Sequence, residues 1–241
     1  MSGWERFVQS FLPEESAVAD AGALPGCSIC RLAADAFDAF YARLTIPDEL
    51  PDVAAALARS HGFCPAHGRE ALRRLPRPVL ARLLEPALAA RRQAVEQLVA
   101  AASRPPADLA GRRAVRAAQA ALAARAACPA CLVEAAVVRA GLERLLSALG
   151  RPDGRAAYRG SDGLCVRHTR RALARASADS APLLVEQLAA PLDSLLADVE
   201  LYYHKETWEF SHEPRGAEQQ AWRRGIERWA GSRRAARGSG A

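Results

Sequence analysis

Hydrophobic positions along this chain recur at helical spacing. One face of a predicted helix contains Phe37, Phe40, Tyr41 and Leu44, and a second contains Val138, Leu142, Leu145 and Leu149. Pro47 with Pro51, and the Arg-Pro-Asp-Gly turn at 151–154, are expected to end these helices. No convincing alternating run predicts a strand. The pattern therefore predicts an all-α protein.

Two longer helical stripes follow, one in each half of the chain. The first contains Leu80, Leu84, Leu88, Val95, Leu98 and Val99, and the second contains Leu184, Leu188, Leu192, Leu195, Val199 and Tyr203. An apolar stripe on a helix normally faces the protein interior. We therefore expect both stripes to belong to the core.

Composition fits a folded helical protein. The chain has 241 residues, of which 50% are hydrophobic and only 6% aromatic. No apolar run approaches the ~18 residues of a membrane span, and the N-terminus lacks the pattern of a signal peptide. We therefore expect a cytoplasmic protein without a membrane association. Thiols stay reduced in that compartment, so the six cysteines are interpreted as metal ligands or redox groups.

The cysteines and two histidines form an internal repeat. Each half contains a CxxC pair, then thirty-three residues, then a CxxH pair, and the two sets are offset by 101 residues. The candidate ligands are Cys27, Cys30, Cys64 and His67 in the first half, and Cys128, Cys131, Cys165 and His168 in the second. Gly62 and Gly163 precede the third cysteine of each set and are expected to allow a tight turn.

Three thiolates and one imidazole are a ligand set for structural zinc, which takes four S or N ligands in a tetrahedron. We predict two zinc ions per chain, because an iron–sulfur cluster uses His less often. The shorter separation favours pairing within each half. The alternative joins the first CxxC to the second CxxH, and the second CxxC to the first CxxH.

The predicted organisation has five parts. They are an N-terminal helical segment at 1–26, a first Cys3His helical unit at 27–127, a second at 128–204, an aromatic and charged tail at 205–231, and a frayed terminus at 232–241. The fold class is therefore two tandem helical repeat units, each held by a Cys3His zinc site, with a C-terminal aromatic-rich tail.

The tail contains three of the four tryptophans of the chain. One interpretation is that its aromatic side chains fix the last helix over the second unit. The other is that its polar residues form a ligand or partner surface against the aromatics. The candidate surface residues are His204, Lys205, Trp208, His212, Glu213, Arg215 and Trp222, with Glu206 and Glu209 beside them.

Basic residues concentrate in the middle of the chain, where residues 61–127 carry twelve arginines and four acidic side chains. A phosphate-binding face is conceivable there. A solvated helix exterior is favoured, because no aromatic residues are interleaved. The arginines concerned are Arg69, Arg73, Arg74, Arg77, Arg82, Arg91, Arg92, Arg112, Arg113 and Arg116.

Several motifs together resemble an uncharacterised bacterial family of unknown function with tandem CxxC and GxCxxH metal-binding repeats. They are Cys128-Pro-Ala-Cys131, Gly62-Phe-Cys64-Pro-Ala-His67, Gly163-Leu-Cys165-Val-Arg-His168 and the tail motif Glu213-Pro-Arg-Gly216 followed by Trp222-Arg. The resemblance covers roughly residues 20–231 and implies a helical protein with the same eight ligands, without an established activity. Ser28 stands where the family pattern has Pro.

We predict a non-enzymatic zinc-binding helical protein that acts as an interaction or adaptor module for an unknown protein partner. One alternative is a thiol–metal redox or metal sensor. Another is an enzyme or a nucleic-acid binder that uses the tail or the Arg-rich middle. The chain has no nucleophile elbow, phosphate-binding glycine loop or HExxH motif, so an enzyme is less favoured.

Overall fold

The protein is described by a computed structural model that covers residues 3–14, 22–102, 109–122, 126–210 and 212–231. These residues form eleven α-helices and three short 3-10 segments, and they contain no strand. The predicted all-α class is confirmed. The predicted frayed terminus at 232–241 lies outside the described residues, as does part of the N-terminal segment.

The helices of the first part of the chain are α1 (Gly3–Gln9), α2 (Ser28–Arg43), α3 (Leu50–Ser60), α4 (Pro65–Arg74), α5 (Arg77–Ala102) and α6 (Leu109–Leu122). Those of the second part are α7 (Pro129–Leu149), α8 (Pro152–Arg159), α9 (Val166–Leu173), α10 (Ala181–Glu206) and α11 (Ala221–Ala230). The 3-10 segments are Pro47–Glu49, Trp208–Phe210 and Ala217–Gln220.

The two CxxH motifs have the same local structure. Helices α4 and α9 both begin directly after a cysteine, and Cys64 and Cys165 have nearly equal backbone angles of φ −66°, ψ 163° and φ −66°, ψ 160°. The turns before them use Gly62 at φ +101° and Gly163 at φ +67°. Glycine is favoured at such positive φ values, as the sequence predicts for both turns.

The chain forms two compact units. The first unit comprises Met1–Phe11 and Ala36–Ala136, and the second comprises Leu12–Asp35 and Val137–Ala241. Helices α2 and α7 are therefore each divided between the units. Each unit contains the beginning of one of these helices and the end of the other, so the units do not coincide with the two halves of the sequence repeat.

In the first unit the core gathers around the end of α2. The ring of Phe40 is fully buried, with its centroid 6.1 Å from that of Phe7 and 6.3 Å from that of Phe11. The guanidinium group of Arg43 lies over the rings of Phe7 and Phe11 and forms an ion pair with Glu49. These contacts hold the N-terminal helix against α2, and they confirm the buried face predicted for α2.

In the second unit the core gathers around α7, whose predicted face is buried at Val138, Leu142, Leu145 and Leu149. Gly141 on α7 permits a close approach of the start of α2. A Cβ at this position would lie 3.0 Å from Ile29 Cδ1 and 3.2 Å from Leu32 Cδ1. A small residue is therefore required where these two helices touch.

The expectation that both long stripes are buried is wrong for most of their residues. Leu88, Val95 and Val99 of α5 are exposed, while Leu83, Ala87 and Ala94 face the core. In α10, Leu184 is buried, but Leu192 and Tyr203 are exposed. The reason is that alanines permit close helix packing, so the inner row of α5 contains small residues that a search for Leu and Val overlooks.

None of the described helices combines the length and the hydropathy that crossing a membrane requires.

Replacing Phe40 by Ala should lower the free energy of unfolding by about 3–5 kcal/mol, because it removes the ring at the centre of the aromatic cluster. Leu72→Ala, at an exposed position of α4, should change it by less than about 0.5 kcal/mol. Urea unfolding followed by circular dichroism measures both. Equal effects of the two substitutions would contradict the core described.

Candidate metal centres

The eight predicted ligands form two groups of four. Cluster I contains Cys27, Cys30, Cys165 and His168, and cluster II contains Cys64, His67, Cys128 and Cys131. Within each cluster the candidate ligand atoms all lie within 4.8 Å of one another. Each cluster lies inside one compact unit, cluster I in the second and cluster II in the first.

The preference for pairing within each half of the sequence is therefore wrong. The CxxC pair of one half meets the CxxH pair of the other half in both clusters. The reason lies at the far end of α2, where Tyr41 donates a hydrogen bond to the carbonyl of His67. Cys30 stands eleven residues earlier on the same helix, about 16 Å along its axis. The CxxH pair of the first half is therefore held at the end of α2, whereas the CxxC pair of that half lies at its start.

Distances in cluster I match a tetrahedral ion. The Nδ1 atom of His168 lies 3.4 Å from Sγ of Cys27, 3.4 Å from Sγ of Cys30 and 3.3 Å from Sγ of Cys165. The sulfurs of Cys30 and Cys165 are 3.7 Å apart. Zn–S bonds of about 2.3 Å and Zn–N bonds of about 2.0 Å place sulfurs about 3.8 Å apart and S–N pairs about 3.5 Å apart.

Cluster II has the same dimensions. Nδ1 of His67 lies 3.2 Å from the sulfurs of Cys64 and Cys131 and 3.7 Å from that of Cys128. The sulfurs of Cys64 and Cys131 are 3.8 Å apart. All six cysteines are free thiols. Both clusters therefore have the donor set and the spacing to hold one ion each.

Backbone N–H groups at the helix starts donate hydrogen bonds to cysteine sulfurs and oppose the effect of burial on the thiol pKa values. Burial raises the pKa of the Cys64 thiol, but N–H groups of His67 and Ala66 in the first turn of α4 donate to Sγ, and its pKa is lowered overall. At Cys128, burial outweighs the comparable hydrogen bonds from Cys131 and Ala130, and its pKa is raised. Burial, followed by the charge of Cys128, raises the pKa of Cys131 to about 12.

Cluster I shows the same competition for negative charge. Hydrogen bonds from Cys27 and Cys30 lower the pKa of Cys165, whereas hydrogen bonds to Cys165 and Cys27 raise that of Cys30. Burial opposes protonation of His168, but hydrogen bonding to Cys165 and Cys27 raises its pKa to about 9. Thiolates held this close repel one another, so a divalent cation is the partner that allows all of them to ionise together.

The outer nitrogens of the two histidines differ in their surroundings. Nε2 of His67 lies 3.8 Å from a carboxylate oxygen of Glu134. Nε2 of His168 is buried and has no hydrogen-bond partner in the described part of the chain. The sequence repeat explains this difference. Glu134 stands three residues after Cys131, and the equivalent position three residues after Cys30 is occupied by Ala33. Among the described residues, cluster II thus has a carboxylate behind its imidazole at an ion-pair separation, from which it can support His67 as a ligand.

The C-terminal helix ends against cluster I. Gly231, at φ +84°, follows α11, and a Cβ there would lie 2.8 Å from Sγ of Cys30 and 3.4 Å from Sγ of Cys165. Arg228 of α11 donates to the carbonyl oxygens of Asp162, Gln187 and Leu188. This contact could not be predicted from the sequence, because neither Arg228 nor Gly231 belongs to a motif.

The polar residues of the tail pair mainly with one another. Lys205 is buried and donates to the carbonyl of Pro214 at 2.5 Å and to Glu218 at 3.1 Å. His204 stacks on Phe210 at 3.8 Å between ring centroids, and its Nε2 lies 3.8 Å from Glu213. Arg215 pairs with Glu206, whereas His212 is exposed. Glu218, which the sequence analysis missed, is the buried partner of Lys205.

The tryptophans of the tail are exposed. Trp208 is 91% exposed, and Trp222 and Trp229 are 54% and 73% exposed. The interpretation that these rings fix α11 over the second unit is therefore wrong. Arg228, Gly231 and the buried Ala221 hold α11 in place instead. The aromatic rings remain available to a partner.

Arginines of the predicted basic face lie on α4, α5 and α6, and several are in ion pairs. Arg73 and Arg74 both pair with Glu70, Arg74 also pairs with Asp38, and Arg92 pairs with Glu96. These pairs fit the favoured interpretation of a solvated helix exterior. Nucleic-acid binding stays an untested alternative.

Comparisons of the chain with protein-family models, curated proteins and solved structures gave no match. The resemblance to an uncharacterised bacterial family stays a prediction.

Replacing Cys27 and Cys30 by Ser should halve the metal content and leave Cys165 open to alkylation, while Cys64 stays protected. The reason is that cluster I alone loses two ligands. Alkylation followed by peptide mass spectrometry measures the reactivity of each thiol. The matched Cys128→Ser, Cys131→Ser variant should expose Cys64 and protect Cys165. The reverse pattern in the two variants would show pairing within each half.

Glu134→Ala should weaken zinc binding at cluster II by about 10- to 100-fold, because it removes the carboxylate behind His67. A titration with a chromophoric chelator should show one weakened and one unchanged site. Glu143→Ala, on the exposed side of α7, is the control and should leave both sites unchanged. Equal affinities in Glu134→Ala and wild type would show that this carboxylate does not support the site.

Proposed function

We propose that the protein is a non-enzymatic interaction module whose helices are held together by two structural zinc ions. The spacing of the two Cys3His clusters supports this proposal most directly. Each cluster supplies four protein ligands to one ion, which fills a tetrahedral zinc site and leaves no position for a reacting water. A filled site favours a structural role over a catalytic one.

Zinc fits these ligands better than an iron–sulfur cluster does. Each set includes an imidazole, and its ligand atoms lie within 4.8 Å of one another. That spacing suits a single ion at the centre. A cluster of several irons and sulfides between the thiolates requires wider separations. Softer mixed N and S donors also suit zinc more than magnesium or calcium.

The interaction role is supported by the exposed tail. Large aromatic side chains are enriched at the energetic centres of protein interfaces, and three tryptophans project from this part of the second unit. Gly231, at the end of α11, packs against the sulfurs of cluster I. A zinc ion in cluster I would hold in place the sulfurs against which α11 ends, and α11 carries Trp222 and Trp229.

A thiol–metal redox sensor is the second candidate, and the accessibility of cluster II favours it. Two of its three cysteines, Cys64 and Cys131, are partly buried, whereas cluster I has one partly buried cysteine, Cys27, beside the buried Cys30 and Cys165. Oxidation of accessible thiolates would eject the ion. Reversible zinc release from cluster II at mild peroxide doses, with an accompanying loss of a protein interaction, would distinguish the sensor from a purely structural protein.

Purified protein should contain two zinc ions per chain, and their removal by a chelator should abolish cooperative unfolding, because binding free energy of structural zinc is folding free energy. Elemental analysis and thermal unfolding by circular dichroism measure the two quantities. Re-addition of zinc should restore the transition. Unchanged thermal unfolding of the metal-free protein would contradict a structural role.

The interaction role is tested separately on the folded, zinc-loaded protein. Trp222→Ala with Trp229→Ala should abolish the binding of specific proteins recovered by affinity purification from the source cells. Leu88→Ala with Val95→Ala, also at exposed positions, is the control and should retain them. Identical sets of proteins from the two variants would dismiss the tail as the binding surface.

A further inference from the structure

A row of exposed apolar side chains runs along α10. This α10 row consists of Val185, Ala189, Leu192, Leu196 and Tyr203. Its four larger members are between 40% and 72% exposed. Isolated exposed apolar residues are common, but a continuous row on one long helix is characteristic of a surface that another molecule covers.

The row has the spacing of a coiled-coil interface. Its members follow one another at steps of 4, 3, 4 and 7 residues, which places Val185 and Leu192 at d positions of a heptad and the other three members at a positions. From Val185 to Tyr203 it extends about 27 Å. That length is sufficient for a partner helix of about five turns.

Other helices of the second unit use a different face of α10. Leu184 is buried, and Arg228 of α11 donates to the carbonyls of Gln187 and Leu188. At about 100° per residue, the α10 row lies about 100° around the helix from Leu184. The row is therefore additional to the contacts that hold the unit together.

An acidic edge follows the row on its solvent side. Glu186, Asp193 and Glu200 recur every seven residues, at the heptad position directly after each d residue. All three are exposed, and none has an ion pair or hydrogen bond within the described ranges. They form an unneutralised line of negative charge beside the apolar row.

This edge disfavours a second copy of the chain as the occupant. In an antiparallel pair of α10 helices the acidic edges would face each other and repel. In a parallel pair each edge would face Leu188, Leu195 and Tyr202, the positions on the α11 side. A partner with basic residues along its interface is complementary to the edge, whereas an acidic partner is not.

We propose that the α10 row binds an amphipathic helix of another protein, one whose apolar a and d residues are flanked by Lys or Arg. Apolar packing along the row supplies affinity, and the acidic edge selects the charge of the partner. This surface is separate from the tail tryptophans. The proposal stands whether or not the tail binds a partner of its own.

Two synthetic helical peptides of 21 residues test the proposal on the full zinc-loaded chain. Both have Leu at every a and d position, and one has Lys and the other Glu at every e and g position. Like charges on both edges prevent each peptide from pairing with itself. The Lys peptide should bind, the Glu peptide should bind at least about tenfold more weakly, and added salt should reduce the difference.

Leu192→Ser with Leu196→Ser should weaken binding of the Lys peptide by at least about tenfold. The matched control, Leu88→Ser with Val95→Ser on α5, should bind as wild type. Glu186→Lys with Asp193→Lys and Glu200→Lys should reverse the preference in favour of the Glu peptide. Circular dichroism and zinc content should be unchanged in all variants, because every substituted side chain is exposed.

Several outcomes would overturn the proposal. They are no binding of the Lys peptide, equal binding of the two peptides, or binding that is unaffected by Leu192→Ser with Leu196→Ser. A self-dimer of the wild-type chain that the same two substitutions dissociate would assign the row to a second copy instead. None of these outcomes depends on the zinc content, so they leave the structural role of the metals to its own test.

Discussion

In each cluster the two sulfurs of a CxxC pair and the sulfur and imidazole of a CxxH pair converge on one point, and this convergence constrains how the helices pack. Each pair lies at the start of a helix, so an ion in either cluster would join two helix beginnings. Because the pairs come from opposite halves of the sequence, neither half alone supplies the four ligands of an ion. Metal binding would therefore couple the folding of residues that are more than a hundred positions apart in cluster I.

The sequence repeat predicts the ligands, the helix starts and the glycine turns, because each of these depends on local residue types and spacing. Pairing of the motifs is not local. It follows from the packing of α4 beside Tyr41 at the end of α2, and sequence distance favours the wrong partner. The buried row of α5 was missed for a related reason, since Ala87 and Ala94 face the core in place of the larger residues that define a visible stripe.

The two halves are similar in backbone but different in the residues behind the metals. Cluster II has Glu134 next to its histidine and two partly exposed thiols, whereas cluster I has an unpartnered His168 nitrogen within the described chain and Gly231 against its sulfurs. A carboxylate strengthens the imidazole as a ligand, while burial protects sulfur from oxidation. The clusters are therefore chemically distinct sites on the same local scaffold, and cluster I lies beside the C-terminal helix.

Cadmium-113 NMR of the protein loaded with cadmium tests the crossed coordination most directly, because scalar couplings to β-protons identify which cysteine sulfurs are bonded to each ion. Two cadmium resonances are expected. One should couple to Cys27, Cys30 and Cys165, and the other to Cys64, Cys128 and Cys131. A resonance coupled to Cys27, Cys30 and Cys64 together would contradict the crossed coordination.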